Sequence, residues 1–367
     1  MSSAAMSLRG DGTACLPARD RAARSAVLVL LVATLATMVV SVGMGAVSIS
    51  PLQILTILLE QIGLPVADAH DPIRAAVLLD VRLPRVLLAV IVGVAMAGAG
   101  AAMQALFRNP LADPGIVGVS SGAALGAVSW IVLAGSIAPL GAVSALLGHF
   151  AQPAAAFLGG LLASLIIYRL ARFAIIDGQT FMLLLAGIAF SALASAATGV
   201  LTFIADDQQL RSITFWSMGS LGVAGWAEIR VLLAFLLPAL AVLVLMSRLL
   251  DALLLGEAVA GHLGFDMARA RPALIVCVAV LVGASVAMTG MIGFIGLMAP
   301  HIARLFVGAG HRRLLPAAAL IGALLLLLAD MLARTLAAPA EVPVGLITAL
   351  IGGPFFLALL YRRLGMR

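Results

Sequence analysis

The residue types that carry out catalysis are sparse in this chain and form no pattern typical of an enzyme. All 22 positively charged side chains are arginines, so the lysine of a phosphate-binding G-x-x-x-x-G-K-[ST] loop is missing. Cys15 lies in a polar segment and Cys277 in an apolar one, which predicts neither a disulfide nor a cysteine metal site. We therefore predict no catalytic residue, no metal site and no bound cofactor, and any ATP must act through another polypeptide.

Ion binding near the middle of a membrane is the second chemistry to consider. A secondary transporter usually carries ionisable residues at that depth, and the centres of the apolar segments here contain no Asp, Glu or Arg. His301, beside Pro300, is the main exception, and a lone histidine there more often forms a hydrogen bond in packing. Backbone carbonyls can still bind sodium, so an ion-coupled transporter acting alone stays open as an alternative.

The elements that must position any functional residue are membrane helices. The 367 residues are 63% hydrophobic and 10% charged, with a mean hydropathy of +1.19, which excludes a soluble globular domain. Long apolar runs without alternation favour helices over a barrel. With about 20 apolar residues needed for each crossing, the sequence predicts an all-α polytopic membrane protein. We place ten transmembrane helices at residues 26–47, 86–107, 116–134, 154–171, 181–204, 229–247, 272–289, 293–307, 314–333 and 343–361.

This assignment gives one transmembrane domain, residues 26–361, between tails at 1–25 and 362–367. The stretch from Ile137 to Phe150 is apolar but too short to span, and we interpret it as an interfacial segment. Glycines and Pro300 between Arg271 and Arg304 predict a tight pair of spans with a short or broken second member.

Arginine positions predict the orientation, because basic residues concentrate on the cytoplasmic side. With both termini cytoplasmic, the inner segments hold 16 of the 22 arginines. The arginines left on the outer side are Arg74, Arg82, Arg85, Arg211, Arg230 and Arg334. The arginines form no basic stripe, so the net charge of +6 does not indicate a nucleic-acid partner.

Several segments resemble the FecCD/BtuC family of ABC permeases, in family order from residue 82 to the end of the chain. They are Arg82 to Arg85 (RLPR), Arg108 to Gly115 (RNPLADPG), Gly118 to Gly126 (GVSSGAALG), Leu255 to Glu257 (LGE), Gly293 to Leu305 (GFIGLMAPHIARL) and Glu341 to Gly345 (EVPVG). The resemblance implies an inner-membrane permease of ten spans that imports heme, ferric siderophores or cobalamin. It also implies a second copy of the chain, two ATPase subunits and a periplasmic binding protein as partners.

Two of the outer arginines flank Pro84, which suits the first turn of a helix. We therefore place Arg82 and Arg85 at the outer end of the second span, where cations oppose the helix dipole and favour an external anion. The resemblance implies that Arg82, Arg85 and Arg334 receive glutamates of the binding protein. The alternative is pairing within the chain, for instance with Asp80 or Asp330.

On the inner side, residues 251–266 are too polar to span and suit short helices. The resemblance implies that this segment enters a groove on the ATPase; its contact residues would be Leu255, Gly256, Glu257, His262, Leu263 and Gly264. An ordinary cytoplasmic connector is the alternative.

Two inner loops are candidates for a cytoplasmic gate. Asn109-Pro110 is a strong turn signal between the second and third spans. The resemblance implies that Asn109 and Leu111 narrow the cytoplasmic end of the pathway, and that Thr180 and Phe181 form a second constriction.

The substrate prediction depends on residues 206–221, which most resemble the heme-importing branch. Arg211 can pair with a heme propionate, because arginine matches carboxylate geometry, or with Asp206 or Asp207 nearby. Met96 and Met103 are candidates for a soft apolar lining, or for packing. We predict heme as the substrate, with ferric siderophores and cobalamin as alternatives.

Overall fold

The computed structural model describes residues 15–45, 49–61, 63–64, 71–172 and 179–364. Within these ranges the chain folds into helices and contains no strand, which confirms the all-α prediction. The helices are α1 (Cys15–Gly43), α2 (Pro51–Gln61), α3 (Pro72–Ala76), α4 (Leu83–Leu106), α5 (Val119–Leu133), α6 (Ala138–Leu147), α7 (Ala151–Arg172), α8 (Gln179–Ile204), α9 (Asp207–Met218), α10 (Trp226–Leu245), α11 (Ser247–Leu254), α12 (Glu257–His262), α13 (Met267–Thr289), α14 (Ile295–Val307), α15 (His311–Thr335) and α16 (Val344–Leu364).

Ten of these helices correspond to the ten predicted spans. Eight helical runs are long and apolar enough to cross a membrane, and the shorter apolar helices α5 and α14 supply the other two. Because α1 begins at Cys15, part of the predicted N-terminal tail is helical, while residues 1–14 and 365–367 of the two tails lie outside the described residues.

The centre of the bundle is formed by α4, α13 and α15. In the most apolar part of each helix, the share of buried residues is 78% for α4, 72% for α13 and 61% for α15. The corresponding share is only 17% to 22% for α1, α8 and α16. Large apolar side chains such as Leu193 and Leu350 are exposed on the outer helices, as expected for a surface that faces lipid. The central helices therefore position the polar residues, and the peripheral helices enclose them.

Glycines bring α4 and α15 into backbone contact. A Cβ atom added to Gly93 would lie 2.5 Å from the carbonyl oxygen of Gly322, and one added to Gly322 would meet the carbonyl of Gly93. Such close approach of small residues is the usual basis of helix association in membranes. The two helices therefore pack at close backbone distance at the centre of the bundle.

The second spanning helix begins earlier than predicted. Pro84 lies in the first turn of α4, as predicted, but the short helix α3 and a π-helical segment Val77–Arg82 lead directly into α4, so the whole helical run has 35 residues. Proline has no N–H to donate. In the π-helical pattern the N–H of residue 84 would donate to the carbonyl of Leu79. Because Pro84 has no N–H, that carbonyl accepts a hydrogen bond of 3.0 Å from the indole N–H of Trp226 instead. This side-chain donor lets the helix continue through the proline.

The predicted tight pair of spans between Arg271 and Arg304 is confirmed. The helix α13 ends before Gly290, whose φ is +71°, and α14 begins after Phe294, whose φ is +67°. A side chain at Gly290 would collide with the carbonyl of Trp216 on α9. At 13 residues, α14 is the short member of the pair.

The stretch from Ile137 to Phe150 is a separate short helix followed by one 3₁₀ turn. None of the residues of α6 is buried, and Gly148, with φ +55°, divides it from α7. Gly148 separates α6 from α7, and the interfacial position of this stretch stays a prediction.

Candidate functional site

An ion-pair network lies at the outer end of the bundle. Arg85 on α4 donates through Nε to Oδ1 of Asp330 on α15 at 2.9 Å. Its Nη1 donates to both carboxylate oxygens of Glu341 at 2.9 Å. The Asp330 side chain is fully buried and that of Glu341 is 49% exposed. Arg85 therefore bridges a buried carboxylate and a carboxylate that faces outward.

The same aspartate also holds Arg334, one helical turn further along α15. Nε of Arg334 lies 3.0 Å from Oδ2 of Asp330, and its two Nη atoms donate to Ser41 and to the carbonyl of Met44 at the end of α1. The network therefore ties together α1, α4 and α15.

The neighbouring Arg82 points to the same end of α1. Its Nη1 donates to the carbonyl oxygens of Val42 and Gly43 at 2.9 and 3.1 Å. Arg82 and Arg85 lie at the outer end of the bundle, but they are buried there, at 6% and 8% exposed. For Arg85 and Arg334 the structure shows the alternative from the sequence, pairing with Asp330 within the chain. Docking of a partner at these arginines stays a prediction.

A cavity of about 430 Å³ opens next to this network, and Glu341 belongs to both. Its lining is Phe215, Trp216, Ser220, Val223, Met288, Thr289, Gly290, Glu341, Val342 and Pro343. The wall combines two aromatic side chains with one carboxylate, so an apolar ring system carrying a polar edge suits it chemically.

The predicted pathway residues lie elsewhere. Arg211 is exposed on α9, which begins with a capping box of Asp206 and Gln209, and it is not in the lining of the cavity. Met103 is fully buried and Met96 is 5% exposed, and both pack within the main hydrophobic core. For these methionines the structure supports the packing alternative, because a side chain enclosed within one subunit has no surface to offer a substrate.

At the opposite end of the bundle, the predicted coupling segment forms two short helices. The buried side chains of α11 include Leu250 and Leu253, which hold it against the bundle. By contrast, Leu255 and Leu263, which follow α11 and α12, are 66% and 60% exposed. This part of the segment therefore carries exposed apolar side chains, and their contact with the ATPase stays a prediction.

The other predicted residues of the coupling segment are two glycines that turn the backbone and two side chains that form polar contacts. Gly256 has φ +112°, a conformation that favours glycine and allows the sharp turn between α11 and α12. Glu257 forms an ion pair with Arg271 on α13, and Nδ1 of His262 lies 2.7 Å from the carbonyl oxygen of Ala258. Gly264, with φ +92°, turns the chain toward α13.

The predicted gate loop between α4 and α5 is tightly turned. Oδ1 of Asn109 accepts from the N–H of Leu111 at 3.0 Å, an Asx turn that closes the Asn-Pro corner. Asp113 accepts from the N–H of Gly115 at 2.7 Å. Burial raises the pKa of the Asp113 carboxyl, and the bond from Gly115 opposes that shift.

The gate loop lies beside the coupling segment. A Cβ added to Gly256 would be 3.6 Å from Nη1 of Arg108, the residue before Asn109. Phe181 is 65% exposed at the start of α8, whereas the side chain of Thr180 lies outside the described residues. The role of these residues as a gate stays a prediction.

Comparison with known proteins identifies the family. The FecCD transport family model matches residues 31–362. The chain belongs to the FecCD transport family. Among the described residues, no group of three or more His, Cys, Asp or Glu side chains could hold a metal ion.

Two curated relatives align with most of this FecCD chain. It is 53% identical over 285 residues to the hemin transport system permease protein HmuU of Yersinia pestis, covering 78% of this chain and 83% of that protein. It is 39% identical over 310 residues to the vitamin B12 import system permease protein BtuC of Vibrio cholerae, covering 84% of this chain and 90% of that protein.

A solved structure agrees with this assignment. An ABC transporter of the metal-chelate type, in an inward-facing conformation, is 34% identical with a TM-score of 0.77, covering 92% of this chain and 98% of that chain. With its apolar helices, the FecCD chain is thus a multi-pass permease of the ABC importer class.

Two pairings in this FecCD permease were missed from the sequence. Glu341 was noted only as part of the EVPVG run, although its carboxylate completes the pairing of Arg85. Asp251 and His311, 60 residues apart, contact each other at the inner end. Neither pairing has a spacing signal, because each depends on how separate helices meet.

Proposed function

We propose that this chain is the membrane-spanning subunit of an ATP-driven importer of heme in the inner membrane. Two copies would work with two ATPase subunits on the cytoplasmic side and with a periplasmic binding protein. ATP hydrolysis would take place on the separate ATPase subunits, since no lysine is present for a phosphate-binding loop.

The substrate proposal rests on one observation. The identity to the hemin permease HmuU is 53%, against 39% to the cobalamin permease BtuC, over similar shares of the chain. The outer cavity supports the proposal, because Phe215 and Trp216 suit a flat apolar ring system. Exposed Arg211, on the same helix α9 as Phe215 and Trp216, is available for a propionate.

The partner proposals rest on two surfaces at opposite ends of the bundle. The inner surface exposes Leu255 and Leu263, and apolar side chains of that kind suit a protein partner. At the outer end lie Arg82, Arg85 and Arg334. The guanidinium of Arg85 pairs both with the buried Asp330 and with the half-exposed Glu341. An acidic binding protein would compete with Glu341 for Arg85.

Transport in proteoliposomes tests the proposal. The complex of this chain with its ATPase and binding protein is supplied with ATP and with heme, cobalamin or a ferric siderophore. We expect heme uptake that requires ATP and the binding protein. Uptake of another substrate without heme would refute the substrate, and uptake by this chain alone, driven by an ion gradient, would refute the ABC mechanism.

A further inference from the structure

A single carboxylate oxygen joins the coupling segment to the central helix α15. Oδ1 of Asp251 on α11 accepts from the backbone N–H of His311 at 2.7 Å and lies 2.8 Å from its ring Nδ1. A carboxylate only accepts hydrogen bonds, so Nδ1 carries the proton in this contact. Two donors of one residue therefore converge on one acceptor that lies 60 positions away in the chain.

The contact is a helix cap provided by a different helix. The residue before α15 is Gly310, which has no side chain to accept from the first turn. Asp251 supplies the missing acceptor and places a negative charge at the positive end of the helix dipole. Asp71, in contrast, caps its own helix α3 by accepting from the N–H of Ile73 at 3.0 Å. A cap in the same helix stabilises one element, whereas the cap by Asp251 connects two.

The two residues differ in burial in a way that suits a joint. His311 is fully buried, so its ring is held by packing and by Asp251. The Asp251 side chain is 44% exposed, on the side of the coupling segment. One half is thus fixed in the bundle, and the other half is accessible to movement from outside.

Rigid elements continue the connection in both directions. On one side, α11 leads through the turn at Gly256 to α12, next to the exposed Leu255 and Leu263. On the other side, α15 has 25 residues and rises about 37 Å. Its far end carries Asp330, which holds Arg85. Between these points α15 packs closely on α4 through Gly93 and Gly322.

We infer that Asp251 and His311 form the joint that transmits movement of the ATPase-facing segment to α15 and so to the outer arginine network. Both are positioning residues for energy coupling, and the inference rests on the proposed ABC function. A displacement of α12 reaches α13 through the pair of Glu257 with Arg271, and it reaches the start of α15 through α11 and the shared acceptor. Without that acceptor, only apolar packing would connect α11 to the start of α15.

The test measures the number of heme molecules taken up per ATP hydrolysed by the full complex in proteoliposomes. Asp251→Ala removes the acceptor, and we expect the ratio to fall about ten-fold, as for the loss of a charge-assisted hydrogen bond. Asp251→Asn keeps an acceptor oxygen in place and should retain the ratio within about two-fold. Asp71→Ala is the matched control, since its carboxylate is 48% exposed but caps its own helix, and it should leave the ratio unchanged.

An unchanged ratio in Asp251→Ala, or an equal fall in Asp71→Ala, would overturn the inference. If the Asp251→Ala complex does not assemble, the His311→Ala and His311→Asn variants test the inference instead. Asparagine retains a side-chain N–H donor, so His311→Asn should preserve more of the ratio than His311→Ala. Equal ratios in those two variants would also overturn it. The wild-type complex is measured first, so a failure of the proposed function appears there and is distinct from a failure of the joint.

Discussion

Arg85 and Asp330 form an ion pair between the two central helices, with Nε and Oδ1 2.9 Å apart and the aspartate side chain fully buried. Asp330 neutralises Arg334 as well, and Glu341 adds a second carboxylate on Arg85. Reversing Arg85 to glutamate would therefore place three carboxylates together at this site. A charge reversal at Arg85 would therefore disturb folding as well as docking. Substitutions that remove one charge at a time separate the two effects.

Removing the buried aspartate should destabilise the fold strongly. Asp330→Ala leaves two arginines without their shared carboxylate, and breaking a buried ion pair from one side typically costs about 3–5 kcal/mol. We expect a loss of that size in the free energy of unfolding, measured by thermal or denaturant unfolding in detergent. Asp266→Ala is the control, because Asp266 is exposed: losing its pair with Arg269 and its N-cap bonds to α13 should cost only about 0.5–2 kcal/mol. Equal losses in the two variants would contradict the structural role of Asp330.

Neutralising Glu341 should strengthen binding of an acidic partner. Glu341→Gln keeps the shape of the side chain but removes the charge that competes for Arg85. We expect the binding protein to bind about five-fold more tightly, a change of about 1 kcal/mol, at low salt. Isothermal titration with the reconstituted complex at low and high salt measures this change, which should shrink with screening.

The control for that prediction is Glu228→Gln, which removes a carboxylate that pairs with His149 and not with Arg85. Equal tightening in both variants would indicate a general charge effect. Weaker binding in Glu341→Gln would mean that the partner needs Glu341, and that docking at Arg85 is wrong.

Much of the fold could be predicted because composition and length constrain membrane helices strongly. Ten apolar stretches gave ten apolar helices, and Gly290 and Pro300 marked the broken pair. Pro84 was correctly placed in the first turn of α4, but the helical run that precedes it, from Pro72, was not predicted. A proline within a helix needs a donor for the carbonyl it leaves unpaired, and that donor, Trp226, lies far away in the sequence.

The functional residues were harder to predict for the same reason. The types and positions of Arg82, Arg85 and Arg334 were identified, but their exposure was not, because burial depends on the ends of α1 and α15 meeting α4. Met103 looked suitable for a pathway by type alone, and the contacts of the folded chain place it in the core.

The contact of Trp226 with Leu79 provides a double-mutant test of the π-helical segment. Trp226→Phe removes the indole donor and should destabilise the protein by about 1 kcal/mol. In a Pro84→Ala background, residue 84 regains an N–H that can reach the Leu79 carbonyl, so Trp226→Phe should cost much less. Unfolding of the four proteins of the cycle gives the interaction energy, expected at about 0.5–1.5 kcal/mol. An interaction energy near zero would show that Trp226 and Pro84 act independently.

The exposed leucines of the coupling segment should matter for assembly and not for folding. Leu255 and Leu263 are 66% and 60% exposed, so Leu255→Ser with Leu263→Ser removes little burial within the subunit. Surface changes of this kind usually alter stability by less than about 0.5 kcal/mol. If these side chains lie in an ATPase groove, their loss should release the ATPase subunits during purification of the complex.

A matched change on the same segment separates assembly from folding. Leu253 is 1% exposed on α11, and Leu253→Ala should cost about 2–5 kcal/mol of stability, as buried leucines do. The double serine variant should therefore unfold like the wild type but lose the ATPase, whereas Leu253→Ala should unfold early. An apolar contact depends on the apolar area that the two leucines supply. If the double variant retains the ATPase at wild-type affinity, this surface is therefore only a connector.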